Sequence, residues 1–382
     1  MDLKTKDSFD FKSERRSGKL FKRIISGITA AAMAAGLLTT SAFADEEVTY
    51  EHPSDINSVV DIMKNYAFIG FNEVDMNGHQ HINLLVNKVV GLPGDMGIRK
   101  NYAGVYEYYV NKLPENISGE LKIGENDPCV SNLTIGSDYT ISTNGSERYI
   151  EPNHVKVSPS VTNIKAETAT NKYIDLVNLQ NSFISYSAML AENADSTEGI
   201  GFNGQYDSSS NTWQNINRIN VTAESGTVFY NIDDTNFSKI NSDAIINFSD
   251  TSTASIVLNI DLKNISWDRK PFRLNIGGNQ PTMNEDVILE NNVNRIYYNF
   301  YDSSAADKMT TKTVSMTDAA HGTIIIPKGA AKVGSNWCGV IVANNIGATG
   351  ESHFVGAYNP VVPASATVDV TVNKVWSEPS GQ

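Results

Sequence analysis

The sequence predicts a mainly β protein with one long α-helix lying against the surface of a sheet. Asn, Ser, Thr, Gly and Asp recur throughout and separate short apolar runs, the pattern of many strands joined by tight turns. Several runs alternate with a two-residue period. In "SIVLNIDL" Ile256, Leu258, Ile260 and Leu262 fall on one face and Val257, Asn259 and Asp261 on the other, as in a half-buried strand. Residues 167–193 differ in kind, because they contain neither proline nor glycine and place apolar residues at helical spacing.

The first element along the chain is an export signal. Lys19, Lys22 and Arg23 precede the apolar run 24–44, which closes with Ser41-Ala42-Phe43-Ala44. A basic start, an apolar middle and small residues at the last and third-last positions are what a membrane-embedded signal peptidase needs, so cleavage is expected between Ala44 and Asp45. A short helix is expected near residues 54–64, capped by Ser54 or Asp55 and packing through Ile56, Val59, Val60 and Met63. Strand candidates follow at "YAFIGF" (66–71), "NLLVNKVVG" (83–91) and "LTIGSDYTIST" (133–143). The long helix then carries a stripe of Ile174, Val177, Ile184, Ala188 and Ala191, widened by Leu176, Leu179, Phe183, Tyr186 and Leu190 and interrupted by Asn181. Later strand candidates are "RINVTA" (218–223), "TVFYNI" (227–232), residues 255–262, "FRLNIG" (272–277), "RIYYNF" (295–300), "GTIIIP" (322–327) and "CGVIVANNIG" (338–347), rich in β-branched and aromatic residues.

One domain is therefore expected over residues 45–360. The proline-containing stretch 358–366 leads out of it, with 361–366 as linker, and "TVDVTVNKVW" (367–376) alternates as a fresh strand. A single strand lacks partners for its edges, so residues 367–382 are expected to open a further module that the sequence breaks off.

The chain carries 30 Lys+Arg and 43 Asp+Glu, a net charge of −13, and loss of residues 1–44 would take eight basic and four acidic groups with it, leaving −17. Such a balance supplies no basic surface for nucleic acid and none for anionic lipid. Two cysteines are present, Cys129 and Cys338. An exported setting permits one disulfide between them, and two buried thiols acting as small hydrophobes account for the same observation.

Catalytic patterns are missing: no G-x-S-x-G, H-E-x-x-H or G-x-x-x-x-G-K occurs, nor a basic cluster of the kind a polysaccharide lyase needs. Asp233-Asp234, Asp243, Glu285-Asp286 and Asp302 contain pairs of the type a glycosidase uses, but so many carboxylates supply pairs by chance. No enzyme activity and no cofactor are expected. His79 and His81 would point both rings to one face of a strand, as two zinc ligands do. Their segment "NGHQHIN" reads as a turn running into a strand without a nearby third ligand, so a structural or solvated role is expected and no metal. "NIDDTN" (231–236) offers oxygens to calcium but lacks the twelve-residue loop with its closing glutamate. The densest aromatic patch is Tyr102, Tyr106, Tyr108 and Tyr109, and rings on a rigid exposed surface stack on sugars or grip a protein. Alternation turns Tyr106 and Tyr108 one way and Tyr109 the other; Tyr102, Tyr106 and Tyr108 are the candidate ligand contacts.

"NYAFIGFNEVDMNGHQHINLLVNKVVG" (65–91), the helix after Glu167 and "GTIIIPKGAAKVGSNWCGVIVANNIGATGESHFVGAY" (322–358) resemble the choice-of-anchor A proteins, and the matching pieces span most of residues 60–360. That family is similar to ice-binding-like adhesive domains. The resemblance implies a right-handed β-solenoid with a helix docked along its side, carried at the tip of a bacterial surface protein. Stacked coils would fill a continuous core with inward Ile, Val and Leu. No clean repeat period is visible, and tandem β-sandwiches are the alternative fold. The regular array of small Thr-like groups that ice binding calls for is absent, so the fold is expected without that activity. "ATVDVTVNKVWSEPSGQ" (366–382) resembles the opening strand of a collagen-adhesin B-type (Cna B-like) repeat, which implies an isopeptide role for Lys374 with partners beyond Gln382. The function expected is that of a non-catalytic extracellular adhesin, held to the cell wall through stalk repeats and an anchor, with a host protein or glycan as ligand. A pilin-like or coat subunit and a secreted carbohydrate-active enzyme are the alternatives.

Overall fold

The computed structural model describes residues 48–362 apart from 51, 53–57, 79, 92–104, 116, 118–119, 122–129 and 282–292. The signal segment with Ala44 and Asp45, the cap candidates Ser54 and Asp55, His79, Tyr102, Cys129, Glu285-Asp286 and the tail with Lys374 lie outside the described residues.

Helix α1 (Val59–Asn65) leads into β1 (Phe68–Met76), β2 (Gln80–His81), β3 (Leu84–Gly91), β4 (Val105–Lys112), β5 (Val130–Ile135) and β6 (Asn163–Ala166). Helix α2 (Leu176–Ala191) follows, and then β7 (Ile200–Asp207), β8 (Thr212–Val221), β9 (Thr227–Ile232), β10 (Ile240–Phe248), β11 (Ser255–Asp261) and β12 (Arg273–Ile276). The last strands are β13 (Ile296–Tyr301), β14 (Ala320–Val333), β15 (Trp337–Ala348) and β16 (Ser352–His353). "LTIGSDYTIST" is divided by a turn: β5 ends at Ile135, and Thr140–Asn144 pairs instead with Glu147–Glu151 in a small separate sheet.

The main sheet runs β6-β5-β4-β3-β1-β15-β14-β13-β11-β9, and every neighbouring pair is parallel. A second sheet stacks β8, β10 and β12 in parallel, so from β8 to β13 the chain passes alternately from one sheet to the other. Parallel pairing of this kind replaces the tandem sandwiches, whose sheets are antiparallel. The first half of the chain steps outward from β1 to β6, and the second half steps inward from β9 to β15. By this order both halves advance the same way along the stack, and α2 makes the return between them. The missing repeat period has a plain cause. Thr227 and its register partner Ser255 are 28 residues apart, Ile256 and Ile296 are 40 apart, and Thr323 and Val340 only 17.

Strand alternation divides the apolar residues between two cores. Ile256, Leu258, Ile260, Ile324, Ile326 and Ile341 point into the core enclosed by the sheets. Their sequence neighbours Val257, Ile325, Val340 and Val342 join Leu179, Phe183, Tyr186 and Leu190 of α2 in a second core on the outward face. The half-buried expectation for β11 therefore fails: Val257 and Asn259 are fully buried, because α2 covers the face that alternation assigned to solvent.

Helix α2 is shorter than residues 167–193. Asp175 caps it, accepting from the backbone N–H groups of Val177 and Asn178 at 3.0 Å each, and this fixes the first turn after it. The buried face is Leu179, Phe183, Tyr186, Ser187 and Leu190, while Val177 of the expected stripe is 70% exposed. Helix α1 likewise starts at its own cap, Ser58, whose hydroxyl accepts from Asp61 N at 3.2 Å. No helix among the described residues is long and apolar enough to cross a membrane.

Candidate ligand groove

Sixteen helical residues span about 24 Å, and strands lie about 4.8 Å apart, so α2 reaches across about five strands of a ten-strand path. It touches β1, β14, β13 and β11. The outward faces of β4, β5 and β6 lie beyond its N-terminal end, and there the sequence places polar residues in register. One row is Glu107, Asn132 and Asn163; the next is Tyr109, Thr134 and Lys165.

The first row is bonded across the strands. Asn163 Nδ2 donates to Asn132 Oδ1 at 2.7 Å, and Asn132 Nδ2 donates to Glu107 Oε1 at 2.5 Å. Tyr173 closes the inner wall, its hydroxyl 3.5 Å from Glu107 Oε2 and its ring stacked on Tyr109 at 5.0 Å. Tyr173 is itself held by a hydroxyl–hydroxyl bond to Tyr66 and by Glu167 Oε1, which accepts from its backbone N–H at 2.6 Å. Burial, with the nearby Glu167 adding to it, pushes the Tyr109 hydroxyl far above its ordinary value, so it stays protonated. Glu107, Asn132, Thr134, Asn163, Lys165 and Tyr173 line a groove of about 300 Å³, with Leu133 and Ile164 between them along β5 and β6. Asn163 and Lys165 on the last strand are exposed.

Of the aromatic candidates, Tyr106 lies within β4 and Tyr102 outside the described residues. Tyr108 requires a correction: it is 1% exposed within the enclosed core, because inward alternation on β4 takes it away from any ligand. Its neighbour Tyr109 faces outward and supports the groove.

The acidic candidates serve local structure. Asp233 caps the short helix Asp234–Lys239, accepting from Asn236 N at 2.7 Å, and Asp234 accepts from Asn264 Nδ2 at 3.3 Å. Asp243 pairs with Lys270 at 3.1 Å. Asp302 accepts from the hydroxyl and the backbone N–H of Ser304, which hold its carboxyl below the usual range.

Cys338 is buried on β15, and burial, with the Glu351 charge adding to it, pushes its thiol up to about 12. Its possible partner Cys129 lies outside the described residues. His81 is not solvated: it is 5% exposed, and its Nε2 lies 3.3 Å from Glu351 Oε1, beside His353. Glu351 and His353 escaped the sequence reading because about 270 residues separate them from His81. The Glu-x-His spacing on one short segment was the only local signal.

The family model described as "Putative Ice-binding-like adhesive domain" matches residues 59–354. Among solved structures, an ice-binding protein from an Arctic yeast, studied for the basis of its antifreeze activity, is 14% identical over 82% of this chain and 98% of that one. Its TM-score of 0.30 is too slight a likeness to carry an argument. No curated protein matches the chain. The family match covers well over half of the sequence, and the chain belongs to the ice-binding-like adhesive domain family.

Proposed function

We propose that this chain is a non-catalytic adhesive domain, exported and displayed at a bacterial cell surface, which grips a hydroxyl-rich glycan in the groove over β4, β5 and β6. The family match over residues 59–354 carries the adhesive reading. The groove supports the choice of ligand, since an amide pair, a hydroxyl, a carboxylate and an ammonium stand at fixed spacing on a hydrogen-bonded sheet. Rows held by strand pairing lose little freedom on binding, which favours affinity. A right-handed solenoid winding belongs to this reading, because parallel crossover connections adopt that hand. So do the signal segment, the stalk opening at residues 367–382 and a cell-wall anchor.

A glycan and matrix-protein array probed with the chain tests the proposal. Binding to a defined set of glycans is expected, and replacing Asn132 and Asn163 together by Ala should weaken it at least tenfold, about 1.4 kcal/mol, with the melting temperature within a few degrees. Undiminished binding by the double variant would remove the groove as the site. Capture of matrix proteins alone would replace the glycan by a protein ligand, and new reducing ends appearing in any bound polysaccharide would overturn the non-catalytic reading.

A further inference from the structure

Strands β2 and β16 come from opposite ends of the domain sequence, yet they pair in parallel with His81 opposite His353. The same register continues through Cys338 on β15 to His321 on β14, so four consecutive strands bring one row of side chains together. Immediately after this row Gly322 and Gly339 face each other with φ of +149° and +148°, and a Cβ on Gly339 would collide with the Gly322 carbonyl oxygen. The backbone turns here more tightly than a side chain would allow.

Within the row, the rings of His81 and His353 stack with centroids 5.3 Å apart. Their Nε2 atoms address one and the same oxygen, Glu351 Oε1, at 3.3 Å and 3.7 Å. One ligand atom from each of the three residues falls within 4.8 Å of the other two. His81 and His353 are 5% and 3% exposed, while the Glu351 side chain keeps 30% of its surface in solvent. Zinc binds imidazole nitrogen at about 2.0–2.1 Å and carboxylate oxygen at about 2.0–2.2 Å, so the atoms of a tetrahedral site stand about 3.4 Å apart. The separations from Glu351 lie close to that edge length. Imidazole donors select zinc, nickel, copper or iron over calcium and magnesium, which prefer oxygen throughout.

We propose that His81, Glu351 and His353 bind a divalent transition-metal ion that fastens the first coil of the domain to the last. The two histidines arrive on neighbouring strands, and Glu351, one step from β16 with a solvent-exposed flank, completes three ligands and leaves the fourth position to water. The pairing of β2 with β16 consists of two residues on each strand, Gln80–His81 against Ser352–His353. An ion held from both sides adds its binding free energy to that short junction.

Zinc uptake by the chelator-stripped chain tests this. Equilibrium dialysis followed by metal analysis should give one zinc per chain, and zinc should raise the melting temperature by several degrees. Changing His353→Gln together with Glu351→Gln should weaken zinc binding at least 100-fold and abolish the rise, whereas His154→Ala, an exposed histidine paired with Glu151, should change neither. Cobalt(II) bound by the unaltered chain should show the intense visible bands of a four-coordinate site, a readout that does not depend on the double variant folding. No stoichiometric uptake by the unaltered chain, cobalt bands of a six-coordinate ion, or zinc held equally well by a folded double variant would each overturn the proposal, leaving a cluster joined by protons alone. Uptake without a rise in melting temperature would overturn the fastening role.

Discussion

Asn259 and Asn299 show how single residues join the two layers. They are in register on β11 and β13, fully buried under α2, and Asn299 Nδ2 donates both to Asn259 Oδ1 at 2.9 Å and to the Ser187 carbonyl at 3.0 Å. Ser187 Oγ donates to Asn299 Oδ1 at 2.6 Å, and Asn259 Nδ2 to the Leu190 carbonyl at 2.7 Å. Asn299→Ala removes one partner from a closed network and should lower stability by about 1–3 kcal/mol for each group left unmatched, measured by urea unfolding. At the surface Asp207 accepts from the hydroxyl and N–H of Ser209 and from the hydroxyl of Ser210, which hold its carboxyl at about 2. Its folded value lies below the ordinary 3.8, so the stabilisation is present above that pH and is lost as pH falls through about 2. A carboxyl NMR titration should find the midpoint near 2, and Ser209→Ala should move it upward. Neither role was legible in the sequence: alternation put Asn259 in solvent, and only the docked helix buries it.

Among the elements, α2 is where sequence reading succeeded and slipped at once. Freedom from proline and glycine located the helix, but the cap at Asp175 competes with helical propensity upstream, and residues 171–172 pair with 49–50 instead. The buried face falls on the residues that widened the expected stripe, Leu179, Phe183, Tyr186 and Leu190, while Val177 of its first part is exposed. Phe183→Ala should cost about 3–5 kcal/mol in thermal unfolding, and Asp175→Ala about 1 kcal/mol. The strands were easier. "TVFYNI" corresponds residue for residue to β9, because each run of β-branched and aromatic residues is bounded by its own turn residues. The groove was not legible, since Glu107, Asn132 and Asn163 lie 25 and 31 residues apart and connections of unequal length hide which residues will stand side by side.

At the scale of the whole main sheet, the strand order places β1, the first in sequence of the ten strands along its path, beside β15, the last. Strands β1 and β15 pair from Phe68 with Ile341 to Met76 with Ala348, all in parallel. Tension applied through residues 48 and 362 would, once the terminal segments peel away, draw the leading end of β1 and the trailing end of β15 in opposite directions. Parallel neighbours pulled in that way slide past each other, so their hydrogen bonds share the load and none opens before the rest. Optical-tweezer stretching between those two positions is expected to give one abrupt rupture at high force, whereas a staircase of small, weak steps would show that the seam unzips. A load applied at those two positions is borne by this central seam, and strands β4, β5 and β6, where the groove lies, stand outside its path and keep their shape until the seam gives way.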